Sequence, residues 1–342
     1  MKRPTIADIA RRAGVSKGAV SYALNGQAGV SEATRSRIRA IAEELGWSPY
    51  SAARALSGAA AYAVGLAICR PARVLGIEPF FMELISGLEA ELSARSYALT
   101  LQVVADVGAE LEVYRRWWAE RRVDGVILVD LRLNDSRVPE LEKLGLPAVA
   151  IGDPRGAGDL AGVWSDDAAA LTDVVHYLVA LGHERLARVT GLSDLLHTSI
   201  RNDAFVTACA NAGIVDPMVV PADYTGTTSA RITRRLLSSR TPPTAIIYDN
   251  DVMAVAGLAV AQEMNRAVPG ELSIVAWDDS PLCQLVHPPL TAVSRDIPAY
   301  GSHAARHLLA LIAGEPTDDF QDETPKLVPR GSTGAPPPRR EP

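Results

Sequence analysis

His303 and His307 stand four residues apart in a stretch of helical periodicity, the spacing at which a helix offers two imidazoles to one metal ion. The intervening residues of HAARH lack the glutamate that zinc-dependent hydrolysis requires, so a surface pair is expected. Two adjacent acidic pairs, Asp166-Asp167 and Asp278-Asp279, have the composition of a general acid/base couple. Neighbours on an extended chain point to opposite faces, however, and Asp167 suits the start of a helix. No GxGxxG or Walker loop precedes a helix, and no GxSxG elbow occurs. Cys69, Cys209 and Cys283 have no metal-like spacing and are odd in number, which predicts buried free thiols in a reducing compartment. These residues suggest neither an enzyme nor a cofactor. A different set suggests recognition: Asp153, Arg201, Asn250 and Asp278 each fall just past a predicted strand end or at a helix start. Carboxylates accept hydroxyl protons while Arg and Asn donate, which together suit a polyol. Phe80, Trp164, Tyr224 and Trp277 sit at similar edges, where rings can stack on the apolar face of a sugar. Each has a plainer reading: Asn250 with Asp251 can cap a helix, and Trp277 can be core.

Those positions need a scaffold, and the hydrophobic pattern supplies one. Strands are predicted at 64–68, 98–103, 125–129 and 148–151, with helices at 79–95 and 110–121. The rhythm resumes after Val163: helices at 168–181, 199–212, 229–238 and 251–263 alternate with strands at 186–190, 219–221, 245–248 and 273–276, and a strand at 290–293 follows. Such alternation implies parallel sheets covered on both faces, and two runs of it imply two doubly wound subdomains. Open sheets of this kind bind ligands at the carboxyl ends of their strands.

The first 60 residues are built differently. Within TIADIARRAGVSKGAVSYALNG, Thr5 and Asp8 have capping-box spacing, and Ile6, Ile9, Ala10 and Ala13 form one apolar face. Gly14 is placed to end that helix, and Ser16 to cap a second in which Ala19, Val20, Ala23 and Leu24 face inward. This predicts a helix-turn-helix whose second helix is small enough for a major groove about 12 Å wide. A third helix is expected from Glu32 to about Leu45, with Arg35, Arg37 and Arg39 spread around it for phosphate or solvent. Charge follows the same division. Residues 1–60 carry nine Lys/Arg against four acids, +5, whereas the remainder carries −11 within a total of −6. A basic head is drawn to phosphates and an acidic body is repelled by them. The sequence shows neither a secretory apolar region nor an apolar run of about 18 residues, so a cytoplasmic protein with no membrane association is expected.

The headpiece motifs TIADIARRAGVS, AVSYALNG, VSEATRSRIRAIAEELGWSP and AARALSG resemble those of the Lac repressor/galactose repressor family. So do PFFMELISGLEAEL (79–92), VDGVILV (123–129), YLVALGHERLARVTG (177–191), DNDVMAVAGL (249–258), SIVAWDDSP (273–281), PPLTAVSRD (288–296) and LVPRGST (327–333). The resemblance implies an all-α helix-turn-helix headpiece at 1–49, joined by a hinge helix and linker at 50–60 to an α/β body like that of periplasmic binding proteins. That body would hold a first effector subdomain at 61–162 with 294–324 and a second at 163–293 with 325–333, followed by a Pro-rich disordered tail at 334–342. It further implies an effector-responsive transcriptional repressor of carbohydrate-utilisation genes, acting as a homodimer on pseudo-palindromic operator DNA and released when a mono- or disaccharide enters the cleft. A purine- or phosphosugar-responsive regulator of the same fold is the alternative. A sugar-binding protein without DNA function is disfavoured by the basic head.

By the same resemblance Arg201, Asn250 and Asp278 contact effector, and Lys17, Gly18 and Tyr22 face bases. Lys17 can donate to guanine, Gly18 reads nothing, and Tyr22 offers one hydroxyl where arginine is more common. Thr5, Ser16, Ser21 and Asn25 are the positioning contacts of the head. In the hinge, Leu56 beside Ala53 is the apolar wedge for the minor groove. Departures from the family pattern are Ala204 three residues after Arg201, Arg295 in place of glutamine, and a longer 69–77 loop.

Overall fold

The computed structural model describes residues 4–24, 26–47, 60–71 and 75–338. Asn25 and the hinge positions Ala53 and Leu56 lie outside the described residues. The chain divides into two units, Met1–Ala61 and Tyr62–Pro342.

In the first unit, α1 (Ile6–Ala13) begins where Thr5 and Asp8 clasp each other, the Asp8 carboxylate accepting the Thr5 N–H at 2.9 Å and its hydroxyl at 2.6 Å. Gly14, in the left-handed conformation at φ 67°, ends it, and its N–H returns to the Ala10 carbonyl. The Ser16 hydroxyl accepts the Ala19 N–H at 3.1 Å and caps α2 (Lys17–Leu24). Ser31 caps α3 (Glu32–Glu44). Ile9, Val20, Ala23 and Ile38 are fully buried between the three helices. Such short side chains let small helices approach closely. Arg35, read from the sequence as a phosphate or solvent residue, is instead structural. Its guanidinium donates to the carbonyls of Ala23 (3.0 Å) and Gln27 (2.8 Å), closing the end of α2.

The second unit contains two six-stranded sheets. The first runs β11-β5-β4-β3-β1-β2, from β1 (Ala63–Cys69), β2 (Ala98–Val104), β3 (Gly125–Leu128), β4 (Ala148–Ile151), β5 (Ala161–Trp164) and β11 (Phe320–Gln321). The second runs β12-β10-β9-β8-β6-β7, from β6 (Leu186–Thr190), β7 (Met218–Pro221), β8 (Ala245–Tyr248), β9 (Ser273–Trp277), β10 (Thr291–Ser294) and β12 (Lys326–Val328). Every pairing is parallel except β10 with β12. The central strands are buried along their whole length, as expected of sheets covered on both faces. The chain passes between the sheets after Trp164, after Ser294, and between Gln321 and Lys326.

The helices covering the first sheet are α4 (Pro79–Ala94), α5 (Val107–Ala119), α6 (Arg137–Leu144) and α12 (Ile297–Ile312). Those of the second are α7 (Asp167–Ala180), α8 (Leu196–Asn211), α9 (Gly226–Leu237), α10 (Asp251–Glu263) and the short α11 (Pro281–Leu285). Helix α6 was not anticipated; its apolar stripe is short and Pro139 falls in its first turn. Helices α5, α8 and α9 each begin three residues before the sequence reading placed them. The Asp106 and Thr225 side chains cap α5 and α9 at that earlier point. Where α4 and α12 cross, a Cβ on Gly87 would lie 1.9 Å from the Pro298 carbonyl oxygen, so the contact is backbone on backbone. His303 and His307 are not a surface pair. Both are half-buried against Phe320, and His303 also meets Asp322 at 2.8 Å, fastening β11 to α12. The LVPRGST segment is woven into the second sheet: the fully buried Ser332 hydroxyl donates to the Ile274 carbonyl at 2.6 Å. Contacts continue past residue 333, where a disordered tail was expected, because the Gly334 N–H donates to the Ser273 hydroxyl at 3.1 Å and its carbonyl accepts from the same side chain.

Candidate functional site

The carboxyl ends of the two sheets face each other across a cavity of about 540 Å³. Strand ends and helix starts supply its chemistry. From the first subdomain come Arg70 after β1, Asp130 after β3 and Asp153 after β4. From the second come Asp167 and Arg201 on α7 and α8, and Asp278 after β9. Of the eight positions proposed from the sequence, Phe80, Asp153, Trp164, Arg201, Tyr224 and Asp278 line this cavity. Asn250 and Trp277 do not, and their plainer readings hold. The Asn250 carboxamide oxygen caps α10, accepting the Met253 N–H at 2.8 Å. Trp277 is 1% exposed and forms the floor on which Arg201 rests, the guanidinium lying 3.9 Å from the ring centroid.

The cavity is charged, but its cations are committed. Arg201 reaches Asp167 at 2.6 Å and Asp249 at 3.7 Å, and Asp249 also pairs with the fully buried Arg188 behind it. Arg295 lies 3.4 Å from Asp278 and 3.7 Å from Asp167. Arg70 pairs with Asp130 at 3.0 Å, and Arg155 forks onto Asp153 at 2.7 Å and 2.8 Å. Burial pushes the Asp167 carboxyl up, yet Arg201 and Arg295 together outweigh it and hold it below the usual range. At Asp278 burial prevails over Arg295 and Arg201, and its carboxyl is raised. Burial, reinforced by the Arg201 charge, drives His197 well below the ordinary imidazole range, so it is neutral at pH 7.

Aromatic rings meet this network from both sides. The Tyr224 ring lies against the backbone of Gly191, where a Cβ would come within 1.9 Å of the ring. Its hydroxyl shares a 2.7 Å hydrogen bond with His197 Nε2. Arg70 reaches over the same ring, 4.7 Å from the centroid, so one guanidinium of the first subdomain touches an aromatic of the second. Asp130, Tyr224 and Asp278 all hold left-handed backbone, φ 54°, 64° and 62°. Strain of this kind in non-glycine residues gathers at binding sites.

The acidic pairs separate as alternation requires. Asp278 faces the cavity, while Asp279 turns to Arg330 at 2.7 Å. In the other pair Asp167 stands at the start of α7, as expected from the sequence, and also enters the charge network, while Asp166 caps the helix through the Ala169 N–H at 2.9 Å. Glu78, Arg70, Asp130, Asp167, His197 and Asp249 were not proposed from the sequence. Arg70, Asp130 and Asp249 stand just past strands β1, β3 and β8, so the strand-end rule that found Asp153 would have found them too.

Residues 5–50 match the bacterial regulatory proteins of the lacI family, and residues 175–333 match the periplasmic binding protein-like domain. The transcriptional regulator CelR of Thermobifida fusca is 30% identical over 93% of this chain and 94% of its own length. The chain belongs to the LacI family. It is a DNA-binding transcriptional regulator, with a helix-turn-helix head and a periplasmic-binding-protein-like body. Among solved structures, a LacI family regulator from Bifidobacterium animalis subsp. lactis is 36% identical, covering 80% of this chain and 98% of that one with a TM-score of 0.75. A CelR–cellobiose complex is 29% identical, covering 96% and 100% with a TM-score of 0.74.

On the LacI-type head, Lys17, Gly18 and Tyr22 are exposed along one side of α2, with Tyr22 49% accessible. Ser16 is exposed and Ser21 half-buried beside them, and Thr5 stands at the start of α1. Among the described residues, no helix is long and apolar enough to cross a membrane.

Proposed function

We propose that the cavity of this LacI-family regulator receives a neutral mono- or disaccharide, and that its occupancy sets the grip of the head on operator DNA. The observation carrying this reading is the pairing of the cavity's guanidinium groups. Arg70, Arg155, Arg201 and Arg295 each already face a carboxylate. A phosphate entering such a site would have to displace a carboxylate from each arginine it used, and would meet the remaining carboxylates at close range. A hydroxyl can donate to one of these carboxylates and accept from its partner arginine without disturbing the pair. Phe80 and Trp164 add ring surface for the apolar face of a sugar. The solved CelR relative is a complex with cellobiose, a ligand of this class.

The protein acts as a dimeric repressor without catalytic activity of its own, binding its DNA through Thr5, Ser16, Lys17, Ser21, Tyr22 and Asn25, with Ala53 and Leu56 in the hinge. Met82 on α4 and Leu101 and Val103 on edge strand β2 are exposed apolar residues suited to a second copy. The effector subdomains comprise 61–162 with 294–324 and 163–293 with 325–333. Besides the three chain crossings, residues 131–133 and 194–196 join the subdomains: the Leu196 N–H donates to the Leu131 carbonyl at 2.8 Å, the Leu133 N–H to the Asp194 carbonyl at 3.0 Å, and Arg132 pairs with Asp194. A ligand held by both walls therefore biases the angle between them, and with it the spacing of the two hinges.

A thermal-shift screen of the full-length protein tests the ligand class, using cellobiose, maltose, glucose, galactose, glucose 6-phosphate, hypoxanthine and guanine. The expected result is a higher melting temperature with a neutral saccharide. The same saccharide should release the protein from operator DNA selected from random duplexes. Stabilisation by glucose 6-phosphate or a purine alone would overturn the saccharide reading.

A further inference from the structure

Glu78 differs from its neighbours in the cavity wall. It precedes α4 at the N-cap position, yet its side chain makes no cap hydrogen bond. It lines the cavity and is 6% exposed. Asp130, Asp153, Asp167, Asp249 and Asp278 are each paired with an arginine, and Asp166 caps α7. Glu78 has none of these arrangements among the described residues. The nearest cation, Arg70, is already held by Asp130 and by the face of Tyr224. Glu78 Oε2 is buried without a hydrogen-bond partner. Asn250 meets one oxygen of this carboxyl, and leaving the other without a partner at such depth is costly unless something else satisfies it.

We propose that Glu78 is a specificity-determining residue of the effector cavity, its carboxyl forming a hydrogen bond with a hydroxyl of the bound saccharide. The inference rests on the saccharide reading above and deepens it by assigning the first-subdomain contact. Rotation about the last side-chain torsion exchanges the two carboxyl oxygens, so either can turn to the ligand. The charged and polar groups facing this carboxyl are Arg70, Asp130, Asp278 and Asn250. Burial raises it to about 7, with Arg70 opposing and Asp130 and Asp278 reinforcing the shift. A sugar hydroxyl that donates to the carboxylate favours the ionised form, so binding releases a proton in the neutral range. Asn250, which the side-chain hydrogen bond to Glu78 places behind the carboxyl, is then a positioning residue rather than a direct contact.

The test is calorimetric titration of full-length wild type, Glu78→Gln and Glu78→Asp with the free saccharides named above, in two buffers of different ionisation heat near pH 7. The expected result is a wild-type saccharide complex whose heat depends on the buffer. Glu78→Gln should lose at least about tenfold in affinity and the buffer dependence with it. Glu78→Asp, one methylene shorter, should weaken binding yet keep the proton linkage, which also covers the case in which Glu78→Gln does not fold. If wild type binds a saccharide and the two variants bind it equally well with unchanged buffer dependence, the role of Glu78 is overturned while the saccharide reading stands. If wild type binds none of the saccharides, both fall together.

Discussion

The head and the cavity both recognise a polar ligand, but they hold their recognition groups in opposite ways. On α2, Lys17 and Tyr22 stand in solvent, supported from beneath by Val20 and Ala23. The helix carries both side chains, and the Tyr22 ring also lies beside Gly29, where a Cβ would come within 3.6 Å of it. In the cavity, Arg201 is 5% exposed, stacked on Trp277 and bound to Asp167, so the group proposed to meet the ligand also neutralises buried charge. The exposed groups on α2 therefore stand apart from the core that stabilises the head, whereas the cavity combines stability and recognition. Variants in the two places should behave differently, and the size of the contrast measures how far the distinction holds.

The largest effect is expected at Arg201. Arg201→Ala leaves Asp167 with only the more distant Arg295, and removes one of the two cations beside Asp249. Breaking a buried pair from one side costs about 3–5 kcal/mol. Chemical denaturation of the full-length protein should show a loss of that order together with loss of saccharide binding. Replacing both partners, Arg201→Met with Asp167→Leu, removes the uncompensated charge; stability should largely return while binding does not. A variant pair that regained both would mean that the charges serve the fold alone.

Lys17→Ala probes the other side of the contrast. Losing a base-edge contact costs about 1–3 kcal/mol of operator affinity and relaxes the preference at that base pair. Binding titrations on a selected operator should show this loss, while the melting temperature and saccharide affinity stay at wild-type values. A loss equal on all duplexes, with a salt dependence shallower by about one ion, would instead make Lys17 a phosphate contact.

The same distinction explains what could be read from the sequence. The head was legible almost to the residue because its signals are local: Thr5 three residues before Asp8, Gly14 at a helix end, Ser16 three before Ala19. Arg35 was misread because its partners are carbonyls on another helix, and periodicity says nothing about them. The two-sheet body was legible from alternation, and strand ends and helix starts gave six of the cavity's residues. The charge network was not, since Asp167 and Arg201 meet from different helices and Asp249 binds Arg188 across β6 and β8. Asp167 is legible as a helix start, where it stands, but that signal is silent on the Arg201 and Arg295 charges that meet it there. Asn250 and Trp277 were placed at the right depth but one layer behind the wall.

The smallest effect distinguishes a cap from a contact at Thr5. Its hydroxyl and N–H both reach Asp8 at the first turn of α1. Substituting such a cap by alanine costs about 1 kcal/mol. If Thr5 serves only the helix, Thr5→Ser keeps the hydroxyl, and both head stability and operator affinity stay near wild type. Thr5→Ala should lower the melting transition of the head and weaken operator binding no more than that destabilisation explains. A direct phosphate contact adds a second loss: Thr5→Ala would then bind less tightly than a head destabilised equally elsewhere, for example by Ile38→Val in the core between the helices, a change that costs about 0.5–1.5 kcal/mol. Equal operator affinity in those two variants would assign Thr5 to the fold, and weaker binding by Thr5→Ala would make it a head residue that, like Arg201, serves stability and recognition together.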